Sequence, residues 1–154
     1  MTSFRSIPSS IHNVYFGKDV SIVQPVNLYD CHISDNCFIG PFVEIQKGVK
    51  IGKETKVQSH TFICEMVSIG ENCFIGHGVM FVNDDFRNGG PANGDPTKWK
   101  QTLIGNNVSI GSNATILPVK IAEGTVIGAG AVVTKDILEK GIYAGNPAKL
   151  IRDI

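Results

Sequence analysis

Among the polar side chains of the 154-residue chain, Gln58, His60, Glu65, His77 and Asn83 form a group whose types and spacing could move a proton or hold a ligand. A histidine titrates near neutral pH, so His60 and His77 are the candidates for a general base. A carboxylate such as Glu65 orients an imidazole or accepts hydrogen bonds from a hydroxyl-rich ligand. Asn83 is different. Its amide is not basic, so it positions a donor such as an amine without taking its proton. His60 and Glu65 could act as an oriented pair, or both could simply hold a substrate. His77 is either a base or one more polar contact.

The elements that must position these residues are written in sixes. Ile33, Ile39, Ile45, Ile51, Val57, Ile63, Ile69, Ile75 and Phe81 follow one another at intervals of six. The beat resumes at Ile104, Ile110 and Ile116, and again at Ile121, Ile127 and Val133. The fifth place of each unit is small or apolar, as at Val43, Thr55, Cys73, Val79 and Ala114. Gly and Asn recur at the second and fourth places. A helix repeats every 3.6 residues and cannot keep this period. Short strands joined by Gly and Asn corners can. Three units then close one triangular coil, and stacked coils bury the aliphatic ladders. The fold expected is all-β: a parallel β-helix with one long inserted loop and a short C-terminal segment.

Counting in eighteens gives coordinates. Ile33, Ile51, Ile69 and Ile104 open one face; Ile39, Val57, Ile75 and Ile110 the next; Ile45, Ile63, Phe81 and Ile116 the third. Glu65 falls one coil below Asn83, and Ser59 one coil below His77. The five polar residues therefore lie in two adjacent coils, beside the exit of a loop. That loop, residues 84–102, is rich in Gly, Pro, Asn and Asp and carries the lone Trp99. A long interruption of a regular scaffold is usually functional or disordered. The steps Leu28–Ile33 and Ile116–Ile121 are one residue short, so tightened or shifted corners are expected there.

Composition excludes several classes. Fourteen acidic and fourteen basic residues balance, leaving no basic field for nucleic acid. No apolar run approaches the roughly 18 residues of a membrane span. The first residues lack a signal-peptide core, so a cytoplasmic location is expected. Cys31, Cys37, Cys64 and Cys73 contain no Cys-x-x-Cys pair and read as reduced, buried thiols. A zinc site is the weaker alternative, and no metal is expected.

The units Ile69-Gly-Glu-Asn-Cys-Phe, Ile75-Gly-His-Gly-Val-Met, Ile104-Gly-Asn-Asn-Val-Ser and Ile110-Gly-Ser-Asn-Ala-Thr resemble the hexapeptide-repeat acyltransferases. That resemblance implies a left-handed parallel β-helix, acetyl-CoA as cosubstrate and a homotrimer with sites between subunits. The segments Gln58-Ser-His-Thr-Phe-Ile-Cys-Glu65 and Gly76-His-Gly-Val-Met-Phe-Val-Asn-Asp84 are more specific. They resemble the branch that N-acetylates the 3-amino group of UDP- or dTDP-linked amino sugars for surface polysaccharides.

In that branch an asparagine matching Asn83 lies beside the acceptor amine and the thioester sulfur. The resemblance assigns substrate contacts to Gln58, His60, Phe62, Glu65, Asp84 and Arg87. Arg87 would meet a diphosphate or a sugar carboxylate, or be a surface cation. Gly111, Ala129 and Gly130 would line the pantetheine channel. Gly141-Ile-Tyr-Ala-Gly-Asn-Pro-Ala-Lys-Leu-Ile-Arg152 resembles the closing segment of the superfamily, with Pro147 and Lys149 near coenzyme A. Two other readings stay open: an O-acetyltransferase for a sugar or serine with a histidine base, and a non-catalytic β-helix scaffold.

Overall fold

The structure is a computed structural model, and it describes residues 5–154. It is an all-β parallel solenoid of about seven turns, the left-handed β-helix of hexapeptide repeats. The strands are two to four residues long, and the single helical turn among the described residues is the 3-10 segment Pro96–Lys98. Three sheets of six, seven and eight strands form the sides of a prism.

The three faces are those given by counting. Ile33 pairs with Ile51, Ile51 with Ile69 and Ile69 with Ile104 on the six-stranded first face. Ile39, Val57, Ile75 and Ile110 are in register on the eight-stranded second face. Ile45 meets Ile63, and Phe81 meets Ile116, on the seven-stranded third face. These side chains point inward and are almost wholly removed from water. A ladder of stacked branched side chains leaves no room for slippage, since a one-residue shift would turn each of them outward. Replacing one by alanine removes about 2–5 kcal/mol.

The short steps have a simple result. Ile11 pairs with Leu28 and Leu28 with Ile45, each pair one residue short of three full units. The same shortening separates Ile104 from Ile121, Ile110 from Ile127 and Ile116 from Val133. Each missing residue tightens one coil, and every ladder above it keeps its inward phase.

Fifth-place residues tie the corners to the core. Thr55 and Thr61 are buried, and each hydroxyl donates to a corner carbonyl, of Gly70 and Gly76, at 2.9 Å. Cys37 and Cys73 do the same with their thiols, toward the carbonyls of Gly52 and Gly105. All four cysteines are free and buried. The inserted loop leaves after Phe81 and has ended by Thr102. That residue is buried in the strand Thr102–Ile104 and pairs with Val67. At the C-terminal end, Ile142–Ala144 adds a parallel strand to the second face, and Lys149–Arg152 folds back antiparallel on it.

Candidate functional site

The candidate residues share coils but divide between two corners of the prism. Gln58, Ser59, His60 and His77 turn the chain from the second face to the third. Gln46, Glu65 and Asn83 turn it from the third face to the first. Between the corners runs the strand Met80–Phe81 above Phe62–Ile63. His77 and Asn83 are six residues apart, and six near-extended residues span up to about 20 Å. Within one chain they stand at opposite edges of the third face, on either side of the strand Met80–Phe81, and no hydrogen bond joins them.

At the His77 corner, Ser59 Oγ lies 2.9 Å from His77 Nδ1. This contact fixes the imidazole on an exposed edge and leaves Nε2 as the free nitrogen. If Nδ1–H donates to Ser59, Nε2 carries a lone pair and accepts a proton. With the serine donating, Nε2–H is a donor toward an oxyanion. His60, one coil below Gly78, stacks on Phe42 with ring centroids 4.8 Å apart and planes at 29°. No hydrogen bond among the described residues joins it to Glu65.

Above His77 the same corner continues as Gly111-Ser-Asn, Gly128-Ala-Gly and Ala144-Gly-Asn. Backbone bonds link the steps: Asn113 N donates to His77 O at 2.8 Å and Gly130 N to Ser112 O at 2.9 Å. At Gly111 a Cβ would come within 2.4 Å of Ala129 N, so coil stacking alone demands glycine there. Gly130 differs. It has φ +68° and faces open space, and with exposed Ala129 it presents bare backbone above His77. Pro147 and Lys149 lie exposed or half-exposed at the end of this strip.

At the Asn83 corner, the Asn83 side chain donates to Glu65 O at 3.2 Å, and its backbone carbonyl accepts from Lys100 N at 2.9 Å. That second bond closes the neck of the inserted loop. Asp84 organises the loop from inside: one carboxylate oxygen accepts from Phe86 N at 3.0 Å, the other from Ala92 N at 2.6 Å. Asp85 pairs with Lys100 and with Arg87. The hydrogen bond from Lys100 holds the Asp85 carboxyl below its ordinary range. The Arg87 guanidinium donates to Lys98 O at 2.9 Å, so it is tied within the loop. Below, Glu65 N donates to Gln46 Oε1 at 3.4 Å. Tyr29 has its phenol pushed up by burial and then by the Glu44 and Glu65 carboxylates. This corner carries charges of both signs, with Lys47, Arg87 and Lys100 beside its carboxylates, and the His77 corner carries none.

Ser59 and Phe42 belong with the site residues and were not among the sequence candidates. Their signal was present, because each stands one coil below a histidine, Ser59 under His77 and Phe42 under His60.

The model for the bacterial transferase hexapeptide (six repeats) matches residues 30–65. The model for the hexapeptide repeat of succinyl-transferase matches residues 66–80 and 101–135. Together they cover more than half of the chain, which belongs to the hexapeptide-repeat transferase family.

Among its relatives, the bifunctional protein GlmU of Synechococcus sp. (strain CC9605) is 28% identical over 154 residues, 99% of this chain and 32% of that protein. GlmU of Thermosipho africanus (strain TCF52B) is 36% identical over 121 residues, 78% of this chain and 24% of that protein. The chain thus spans a third or less of these curated relatives. A galactoside acetyltransferase solved in complex with coenzyme A superposes with a TM-score of 0.67 at 31% identity, over 79% of this chain and 64% of that one.

Proposed function

We propose that the protein transfers the acetyl group of acetyl-CoA to the 3-amino group of a nucleotide-linked amino sugar. The observation that carries acyl transfer is the Ser59–His77 pair at 2.9 Å, on the same corner as the small-residue strip of Ala129 and Gly130, which lies two coils above it with Ser112 and Asn113 between. The pantetheine arm would lie along that strip, with Pro147 and Lys149 near the nucleotide end of the cosubstrate and the thioester at His77.

The amine attacks the thioester carbonyl, a tetrahedral oxyanion forms, and coenzyme A leaves as the thiol. Nε2 of His77 takes the proton that the amine sheds, and returns one to the departing sulfur. The Asn83 corner supplies the other half. An amino sugar arrives largely as its ammonium, and Glu65 beside Asn83 attracts that charge. The ammonium gives its proton to solvent, and Asn83 then orients the neutral amine. Because His77 and Asn83 are at opposite edges of a face, the complete centre takes His77 from one copy and Asn83 from a neighbour in a homotrimer. Asp84 and Arg87 hold the loop in shape beside the acceptor, and Gln58 and Phe62 flank it.

The same Ser59–His77 pair favours a second reading, O-acetylation, because a hydroxyl needs a base more than an amine does. Thiol release from acetyl-CoA separates the two. UDP- and dTDP-linked 3-amino sugars should release thiol, and simple sugars or serine should not. Release only with hydroxyl acceptors moves the assignment to O-acetylation. No release with any acceptor defeats the enzyme reading.

A further inference from the structure

Two ring-bearing residues of the His77 corner hold a backbone conformation that Gly and Asn hold elsewhere in their column. The column one place beyond the Ser59–His77 step runs Phe42, His60, Gly78, Asn113, Gly130. All five have positive φ, from +59° to +68°. Gly and Asn adopt this region at little cost, while a bulky side chain is strained there. Strain of this kind clusters at functional sites, though Glu54 and Met66 carry it at other corners of the solenoid. Only in the two lower coils does the column carry rings, and there Phe42 and His60 stack at 4.8 Å. The other stacked pair among the described residues, Tyr15 and His32, sits on strands at ordinary φ and has no such cost.

Beside Phe42 is a hollow of about 230 Å³, lined by Pro25, Val26, Asn27, Phe42, Val43 and Glu44 together with Ser9. A site for a whole drug-sized ligand is roughly 300–1,000 Å³. This hollow is of the size for one ring of a larger molecule. Its walls are largely apolar, and Asn27 and Glu44 offer a donor and acceptors to the edge of a heterocycle. Phe42 lies two coils below His77, about 10 Å along the axis at the usual strand spacing. The acceptor's reacting amine and its far end must be separated by a diphosphate, and this offset leaves room for one.

We infer that the Phe42–His60 ladder and the adjoining hollow form the subsite for the pyrimidine base of the acceptor. This rests on the nucleotide-sugar reading given above. The base enters the hollow and stacks on Phe42 from the side away from His60, with its polar edge toward Asn27 and Glu44, while His60 backs the Phe42 ring. The diphosphate then climbs the corner toward Ser59 and His77. The ladder sets the class of acceptor, and His77 does the chemistry.

Phe42→Gly provides the test, because glycine accepts the φ of +61° found at this position without strain. UDP and dTDP are titrated into the wild-type protein and the variant by calorimetry, with saturation-transfer NMR on the base protons and inorganic pyrophosphate as the non-aromatic control. The wild type should bind both nucleotides, with saturation strongest on the base. Phe42→Gly should bind them roughly tenfold or more weakly, the effect expected for losing one base–aromatic stack. Its Tm should be unchanged or higher, and its KM for acetyl-CoA unchanged. Equal nucleotide affinity in the variant, or pyrophosphate binding as tightly as UDP, overturns the inference while leaving the acetyltransferase reading intact. Nucleotide binding without acetyl transfer defeats that reading and keeps the subsite. A variant that dissociates into smaller species shows the ladder to be a subunit contact, and also overturns it.

Discussion

The His77 corner and the Asn83 corner belong to the same coils and could hardly be less alike. One is a smooth column of glycines and small polar residues, with a single oriented imidazole and no acidic or basic side chain other than histidine in its turns from Gln58 to Gly130. The other is charged, with Glu65, Asp84 and Asp85 at the root of a loop that interrupts the solenoid. The uninterrupted corner lets backbone approach a ligand closely over several coils. The interrupted corner supplies charge and shape in one place. On the proposed function, the regular scaffold is an extended rail for a long cosubstrate, and the irregular insertion selects what meets it.

The largest effect should come from His77→Ala. Removing the imidazole should lower kcat/KM for thiol release by about 100-fold, about 2.7 kcal/mol in the barrier. Ser59→Ala should cost less, since it frees the imidazole without removing it. A fall of under threefold in His77→Ala would move the chemistry to the other corner.

Gly111→Ala comes next. Its methyl would meet the Ala129 backbone at 2.4 Å, and overpacking of this kind costs about 1–3 kcal/mol. Denaturant unfolding should show that loss together with weaker acetyl-CoA binding. The Asn83 corner should respond differently. Asn83→Ala should reduce kcat/KM about tenfold for amino acceptors, or about 1.4 kcal/mol. Unfolding stability should change by less than about 1 kcal/mol, because the Asn83 carbonyl that closes the loop neck is retained. Full activity in this variant removes Asn83 from the centre.

The thiols distinguish the corners most gently. Cys31 and Cys64, near the Asn83 corner, are pushed up by burial to about 11 and about 12 from an ordinary 9.0. Well below pH 9 both are protonated folded and unfolded, so they add no pH dependence. Above pH 9 the unfolded chain loses these protons first, and the stability they contribute is lost as pH rises through the folded values. Urea titrations from pH 8 to 11 should show that decline. It should be shallower in Cys64→Ala, and an equal slope would contradict the assignment.

The period made the faces legible before any coordinates. Ile33, Ile39 and Ile45 named the three ladders, and a count of eighteen placed Ser59 beneath His77 and Glu65 beneath Asn83. The same count did not separate the corners. His77 and Asn83 are close in sequence and in height, and only the triangular section shows that a whole face lies between them. Phe42 was hidden for another reason: an aromatic in a hexad reads as packing until its positive φ is seen. The loop was visible as a break in rhythm, but its order was not. Asp84 and Arg87 are polar residues of the kind that bind ligands, and only their partners within the loop show that they also hold it together. Gly111 was legible as a bare position, and the 2.4 Å contact with Ala129 supplies the packing reason.

On the proposed mechanism the reaction centre is completed between copies, with His77 from one chain and Asn83 from the next. Subunit mixing tests this most directly. His77→Ala and Asn83→Ala chains are purified separately, unfolded and refolded together, and thiol release is measured with acetyl-CoA and a nucleotide-linked 3-amino sugar. Mixed assemblies should contain some centres with both residues intact, so the mixture should exceed the mean of its two parents. A mixture no more active than that mean, from chains shown to co-assemble, would place both residues in service of a single chain and contradict the account.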